Sequence, residues 1–318
     1  GVTDERILEV ASNYDIIGLT SIFSQQEAMA LHCAKIIKKK FPNKVLFSGG
    51  VNAKSRAATF FAAGFDIICT SEAEVTIQQI AKILQKNINS RDFSSVGKIY
   101  FKGRNGKMID NSRIGDIIWE LDKLPIPAWH LLPYEKYWKI SRPHGGDIKT
   151  GAELKYASMM TSRGCPFACL YCHIAQETKD SKSGPIGRFR IKSDERVRQE
   201  LNILKNEIGV NQIFISDDSI FGMKKRAIRL LRSVIDMGLD LTDVNGMNMV
   251  HFVKKSGTPG WMVPDEEVIE LLAEVGFKDV VLPFESANPR IIKKWCSNKL
   301  PLERFNPADL IKTFNKYN

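Results

Sequence analysis

The chain is 318 residues long, 43% apolar and 26% charged with a net charge of +10, ordinary totals for a globular protein with room for about two domains. No apolar run reaches the ~18 residues of a transmembrane helix, and no basic stretch followed by an apolar one marks a signal peptide at the N-terminus. The basic residues are dispersed, densest in "KIIKKKFPNK" where a helix is expected to end, so no nucleic-acid partner is expected; six cysteines, of which Cys33, Cys69 and Cys296 stand alone, make no disulfide framework and fit a reducing cytoplasm.

In chain order, "DIIGLTSIF" (15–23), "KVLFSGG" (44–50) and "FDIICTS" (65–71) read as short buried strands. They alternate with helical patterns over 25–40, 55–63 and 72–86, the arrangement of a parallel sheet built from βαβ units. The strands end in small or polar residues, Thr20-Ser21, Ser48-Gly49-Gly50 and Thr70-Ser71-Glu72, where open α/β sheets bind ligands. No G-x-G-x-x-G follows a strand, which disfavours a dinucleotide. A hairpin is expected at 96–111, turning at Arg104-Asn105-Gly106, and the prolines of "LDKLPIPAWHLLP" (121–133) mark a linker. The alternation then resumes with strands expected at 154–162, 212–218, 243–250 and 279–286, and helices at 193–208, 223–237 and 264–275. The sequence opens on Gly1 inside what reads as an α/β domain and stops after four barrel strands, so it is read as a fragment expected to turn over poorly by itself.

Within "SMMTSRGCPFACLYCHI" (158–174), Cys165, Cys169 and Cys172 form C-x3-C-x2-C in a loop after a strand. Thiolates clustered in this way serve metals. One reading is a zinc site completed by His144 or His173; another is a [4Fe–4S] cluster with one iron left without a protein ligand.

The motif "CPFACLYC", with an aromatic residue (Tyr171) before the last cysteine, resembles the radical S-adenosylmethionine (radical SAM) superfamily. The resemblance implies that Cys165, Cys169 and Cys172 hold a [4Fe–4S] cluster whose open iron is chelated by the amino and carboxylate groups of SAM. Reductive cleavage of SAM would give methionine and a 5′-deoxyadenosyl radical, with electrons from an external donor such as flavodoxin or ferredoxin. Beside Tyr171, it places Asp217 and Asp218 near the SAM ammonium, Glu285 and Ser286 of "PFESANPRII" near the ribose, and Asn245 in the pocket wall. The family's glycine-rich motif at the second strand is replaced here by "ISDDSIF".

Upstream, "DIIGLTSIF", "LFSGGVNA" and "CTSEAEVT" look like strand ends of the cobalamin-binding domain of class B radical SAM enzymes. This implies Thr20, Ser21, Ser24, Gly49, Gly50 and Glu72 as cobalamin contacts. The expected fold is therefore α/β, a Rossmann-like (flavodoxin-like) cobalamin-binding domain over 1–118 without its first strand. A linker over 119–150 leads to an incomplete radical SAM (β/α) partial TIM barrel over 151–318. The function implied is methylation of an unactivated carbon or phosphorus centre of a small molecule. The alternatives are a cyclase or rearrangement enzyme with the same cofactors, like the anaerobic ring-forming enzyme of chlorophyll synthesis, and a non-catalytic metal- or cobalamin-binding protein. The position of the family's cobalt-ligating histidine motif precedes Gly1, and His32 and the other histidines are left unassigned.

Overall fold

The computed structural model describes residues 2–140, 154–179, 184, 186–296, 299 and 302–317. His144 and the latter part of the expected linker lie outside the described residues. The chain divides into two compact units, Gly1–Ile118 with Glu177–Ile186, and Trp119–Gln176 with Gly187–Asn318.

The first unit opens with α1 (Asp4–Ser12), whose N-terminus is capped by the Thr3 hydroxyl accepting from Arg6 N–H. It continues through β1 (Ile16–Thr20), α2 (Ser24–Lys40), β2 (Val45–Gly49), α3 (Val51–Ser55), α4 (Ala57–Ala62), β3 (Ile67–Cys69), α5 (Glu74–Lys86), β4 (Ile99–Lys102) and β5 (Met108–Asp110). The sheet runs in the order β1-β2-β3-β4-β5, parallel among the first three and antiparallel for the last two. Buried Ile67 and Ile68 and the aliphatic faces of α2 and α5 close its two cores. The helix expected at 55–63 is instead two short helices broken at Arg56. Gly50 is the residue that lets the chain turn there: its φ is +97°, and a Cβ would meet Ile22 Cα at 2.9 Å.

In the second unit, the expected linker residues 121–131 form two short 3-10 turns, and Trp129 enters the core. There follow α6 (Tyr134–Ile140), β6 (Tyr156–Met159), β7 (Ser162–Arg163), α7 (His173–Lys179), β8 (Arg190–Ile191), α8 (Asp194–Ile203), β9 (Gln212–Ile215), α9 (Lys224–Val234) and β10 (Asp240–Asp243). The remaining elements are β11 (Val253–Lys255), β12 (Met262–Pro264), α10 (Glu266–Val275), β13 (Phe277–Asp279), α11 (Pro289–Trp295) and α12 (Pro307–Tyr317). Strands β13-β10-β9-β6 form a parallel sheet in that order, backed by α8, α9 and α10. Two expected strands sit earlier than the sequence pattern placed them: β10 ends at Asp243 rather than running to 250, and β13 ends at Asp279 rather than running to 286. The hairpin β11–β12 takes up Pro264, so the following helix begins at Glu266. No helix among the described residues is long and apolar enough to cross a membrane.

Register fixes which way the strand ends face. Ala157, Met159, Ile213, Ile215 and Leu241 pack into the core shared with the helices, so Phe214, Ser216 and Thr242 face the other side of the sheet.

Candidate functional site

The cysteine loop leaves β7 at Gly164, whose φ of +77° and contact with the Arg188 carbonyl leave no room for a side chain. Asp218, three residues beyond β9, accepts Gly164 N–H at 2.9 Å, and Cys165 N–H donates to the Gly187 carbonyl at 3.1 Å. Cys172 N–H donates back to the Cys169 carbonyl at 3.0 Å, closing the turn that groups the thiols. Cys169 is buried while Cys165 and Cys172 are half-buried. Burial, then the charge of Asp218 and the neighbouring thiols Cys172 and Cys169, pushes the Cys165 thiol up to about 11. Such a site gathers thiolates only when cations come with them.

Among the described residues no group of His, Cys, Asp or Glu is arranged to hold a single metal ion. The loop supplies three thiols, Cys165, Cys169 and Cys172, the donor type that iron–sulfur clusters take.

Tyr171 joins the loop to the segment after β13. Its hydroxyl hydrogen-bonds with Glu285 and lies within reach of the Cys169 and Cys296 thiols. Leu170 N–H also donates to the Trp295 carbonyl at 2.8 Å. Glu285 has a φ of +60°, a conformation costing about 1–3 kcal/mol in a non-glycine residue. It pairs with Lys299 Nζ at 2.8 Å. Burial opposes ionisation of Glu285, but Lys299 and the Tyr171 hydroxyl outweigh it and hold the carboxyl below its usual range.

Cys165, Cys169, Cys172, Tyr171, Asp218 and Glu285 are therefore brought together, and the structure adds Lys299, which no sequence pattern marked. Asp217 has a different setting. Its carboxylate accepts Thr161 N–H, the Thr161 hydroxyl and the Ser162 hydroxyl, each at 2.6 Å, and it is 1% exposed. Arg226 of α9 supports this network through the Thr161 hydroxyl (2.9 Å) and carbonyl (3.0 Å). Asn245 Nδ2 donates to the Ser216 and Asp217 carbonyls at 3.1 Å each, tying β9 to the loop after β10. The Ser286 hydroxyl accepts Asn288 N–H at 3.1 Å ahead of α11. Asp243, buried at the end of β10, has its carboxyl pushed up to about 7 by burial and by the charge of Asp217, and its Oδ2 has no partner among the described residues.

In the first unit, Thr20, Ser21, Gly49 and Gly50 line neighbouring strand ends. Ser21 N–H donates to the Gly49 carbonyl at 3.3 Å, and Asn52 Nδ2 donates to the Ser21 hydroxyl at 3.0 Å. Ser24 opens α2, and Glu72 stands just ahead of α5. The hydroxyls of Thr70 and Ser71, after β3, are buried without a partner among the described residues. Orphaned hydroxyls beside a glycine-lined turn suit the polar tail of a bound cofactor.

Residues 159–312 match the Radical SAM superfamily model. The chain is 27% identical to cytidylyl-2-hydroxyethylphosphonate methyltransferase of Streptomyces wedmorensis, over 96% of this chain and 56% of that protein. It is 30% identical to an uncharacterized methyltransferase of Pyrococcus horikoshii, over 95% of this chain and 58% of that one. Among solved structures, the cobalamin-dependent S-adenosylmethionine radical enzyme OxsB with aqua-cobalamin bound superimposes with a TM-score of 0.71 at 18% identity, covering 96% of this chain and 40% of OxsB. The chain thus spans a little over half the length of the curated relatives it matches.

Proposed function

Because residues 159–312 match the Radical SAM superfamily model, we propose that this chain is part of a radical SAM enzyme that methylates an unactivated carbon or phosphorus centre of a small molecule, using a [4Fe–4S] cluster, SAM and cobalamin. The observation that carries the reading is the cysteine loop, where the Cys172–Cys169 backbone bond and the Gly164–Asp218 bond hold Cys165, Cys169 and Cys172 in one turn after β7. When bound, the cofactors supply the methyl group and the radical that removes a substrate hydrogen.

The protein's own part is to bind, orient and hold charge. Cys165, Cys169 and Cys172 take the cluster on a loop anchored by Asp218 and by the Leu170–Trp295 backbone bond. Asp218 and the Glu285–Lys299 pair put both signs of charge beside the loop, as an amino acid's ammonium and carboxylate require. Asp217 and Arg226 brace the strand that presents the loop. Residues 1–118 are assigned to cobalamin through Thr20, Ser21, Ser24, Gly49, Gly50 and Glu72, with Thr70 and Ser71 added as orphaned donors. Residues 151–318 form the radical SAM part, and a flavodoxin or ferredoxin supplies electrons. The methyltransferase names of the two relatives support methylation over the alternatives.

Product analysis tests this. In the full reading frame that contains residues 1–318, anaerobic turnover should release S-adenosylhomocysteine together with 5′-deoxyadenosine. 5′-Deoxyadenosine alone would favour a cyclase or rearrangement enzyme, and neither product from cluster-loaded protein would favour a binding protein.

A further inference from the structure

His251 lies on the turn Met249–Phe252 that follows β10 and is 8% exposed. Its ring stacks on Phe221 at 5.5 Å with an interplanar angle of 26°. It also stands 5.7 Å from the ring of Phe167, which lies between Cys165 and Cys169 in the cysteine loop.

Burial, with Lys224 and Lys299 nearby, lowers the His251 pKa to about 4, so the ring is neutral and carries one N–H. Nε2 is buried and has no hydrogen-bond partner among the described residues. A buried ring nitrogen left unpaired costs about 1–3 kcal/mol. A phenylalanine would fill the slot between Phe167 and Phe221 without that cost, so packing does not account for a histidine. An orphaned polar atom of this kind points to a partner that arrives with a bound group.

We propose that His251 donates a hydrogen bond from Nε2–H to a sulfur of the cluster held by Cys165, Cys169 and Cys172, and so sets the cluster's reduction potential. The proposal rests on the reading that this loop carries a [4Fe–4S] cluster. A donor aimed at a cluster sulfur stabilises the extra electron of the reduced form and raises the potential. His251 is in this sense a positioning residue, acting through the cluster rather than on substrate.

The test compares reconstituted wild type, His251→Phe and His251→Gln by iron content and by EPR-monitored reductive titration without SAM. Phenylalanine keeps the aromatic stack and removes the donor; glutamine restores an N–H at similar reach. The expected result is equal iron in all three, a more negative midpoint potential in H251F, and a return towards wild type in H251Q. Equal potentials at equal iron content overturn the proposal. Wild type that takes up no iron–sulfur cluster overturns the parent reading instead, and the iron count tells the two failures apart. Should H251F fail to fold, isotope-labelled histidine in a His173→Gln background gives a second readout. A weak nitrogen hyperfine coupling on the reduced cluster supports the hydrogen bond; a strong coupling from direct iron ligation, or none, overturns it.

Discussion

Replacing Cys172 with alanine is expected to leave the chain folded but unable to keep its cluster, and the same holds for Cys165 and Cys169. Cys165 and Cys172 are half-buried and Cys169 is the most buried of the three, so none of the losses opens a large core cavity. Iron per chain after anaerobic reconstitution should fall from about four to well below one. Reductive cleavage of SAM should fall at least about 100-fold, since even outer partners of a metal ligand are worth 10–100-fold. Cys296 supplies the sharp control. It is 4% exposed and shares the Tyr171 hydroxyl with Cys169, which makes it the cysteine outside the motif that stands nearest the site. If one iron is open for SAM, Cys296→Ala should keep the full iron complement. Iron loss in C296A equal to that in the motif variants would mean a fourth thiolate closes the cluster.

The second large effect is on stability. Asp217→Ala should destabilise the second unit by about 3–5 kcal/mol. It would leave Thr161 N–H and the Thr161 and Ser162 hydroxyls in a buried site without their carboxylate, and would remove the negative charge that acts on the buried Arg226 guanidinium bonded to Thr161. For a unit of this size that is a fall of roughly 6–20 °C in the unfolding midpoint. Arg226→Met should cost a similar amount by leaving Asp217 buried without its cation, and the double variant should cost less than the sum, because the two act on one network. Thermal unfolding followed by circular dichroism measures all three. A D217A variant within about 0.5 kcal/mol of wild type, as for an ordinary surface change, would mean the network carries no load and would return Asp217 to the role of a ligand contact.

How much of this was legible in the sequence varies along the chain. The N-terminal strands are apolar throughout and bounded by small residues, so "DIIGLTS" and "KVLFSGG" could be placed from pattern alone, and the structure has β1 and β2 within them. The third and fourth strands of the second unit could not. β10 is "DLTD", polar on the face where Thr242 meets Gln212, and its modest hydrophobicity let the richer "MNMV" draw the expectation downstream. In "VVLPFES", Val280, Leu282 and Phe284 pack against the core without a ladder, and Pro283 has no N–H to extend one. The cysteine motif is local and was readable in full.

What surrounds the motif is set by tertiary contacts that no spacing records. Glu285 meets Lys299 across a separation of 14 residues, and Asp217 meets Thr161 across 56. The doublet Asp217-Asp218 looked alike in sequence, but strand alternation sends one carboxylate to the helices and the other to the cysteine loop. His251 did leave a trace: a single histidine inside "MNMVHFV" is out of place in an apolar run unless something pairs with it.

The central claim is that three thiolates hold a cluster with one iron open to SAM. Mössbauer spectroscopy of the chain reconstituted anaerobically with isotopically enriched iron addresses it directly. The account predicts about four irons per chain in one cubane cluster, with a single iron site whose signal shifts when SAM is added. A cluster whose irons are all unmoved by SAM, or a chain that takes up zinc and no iron, would contradict it.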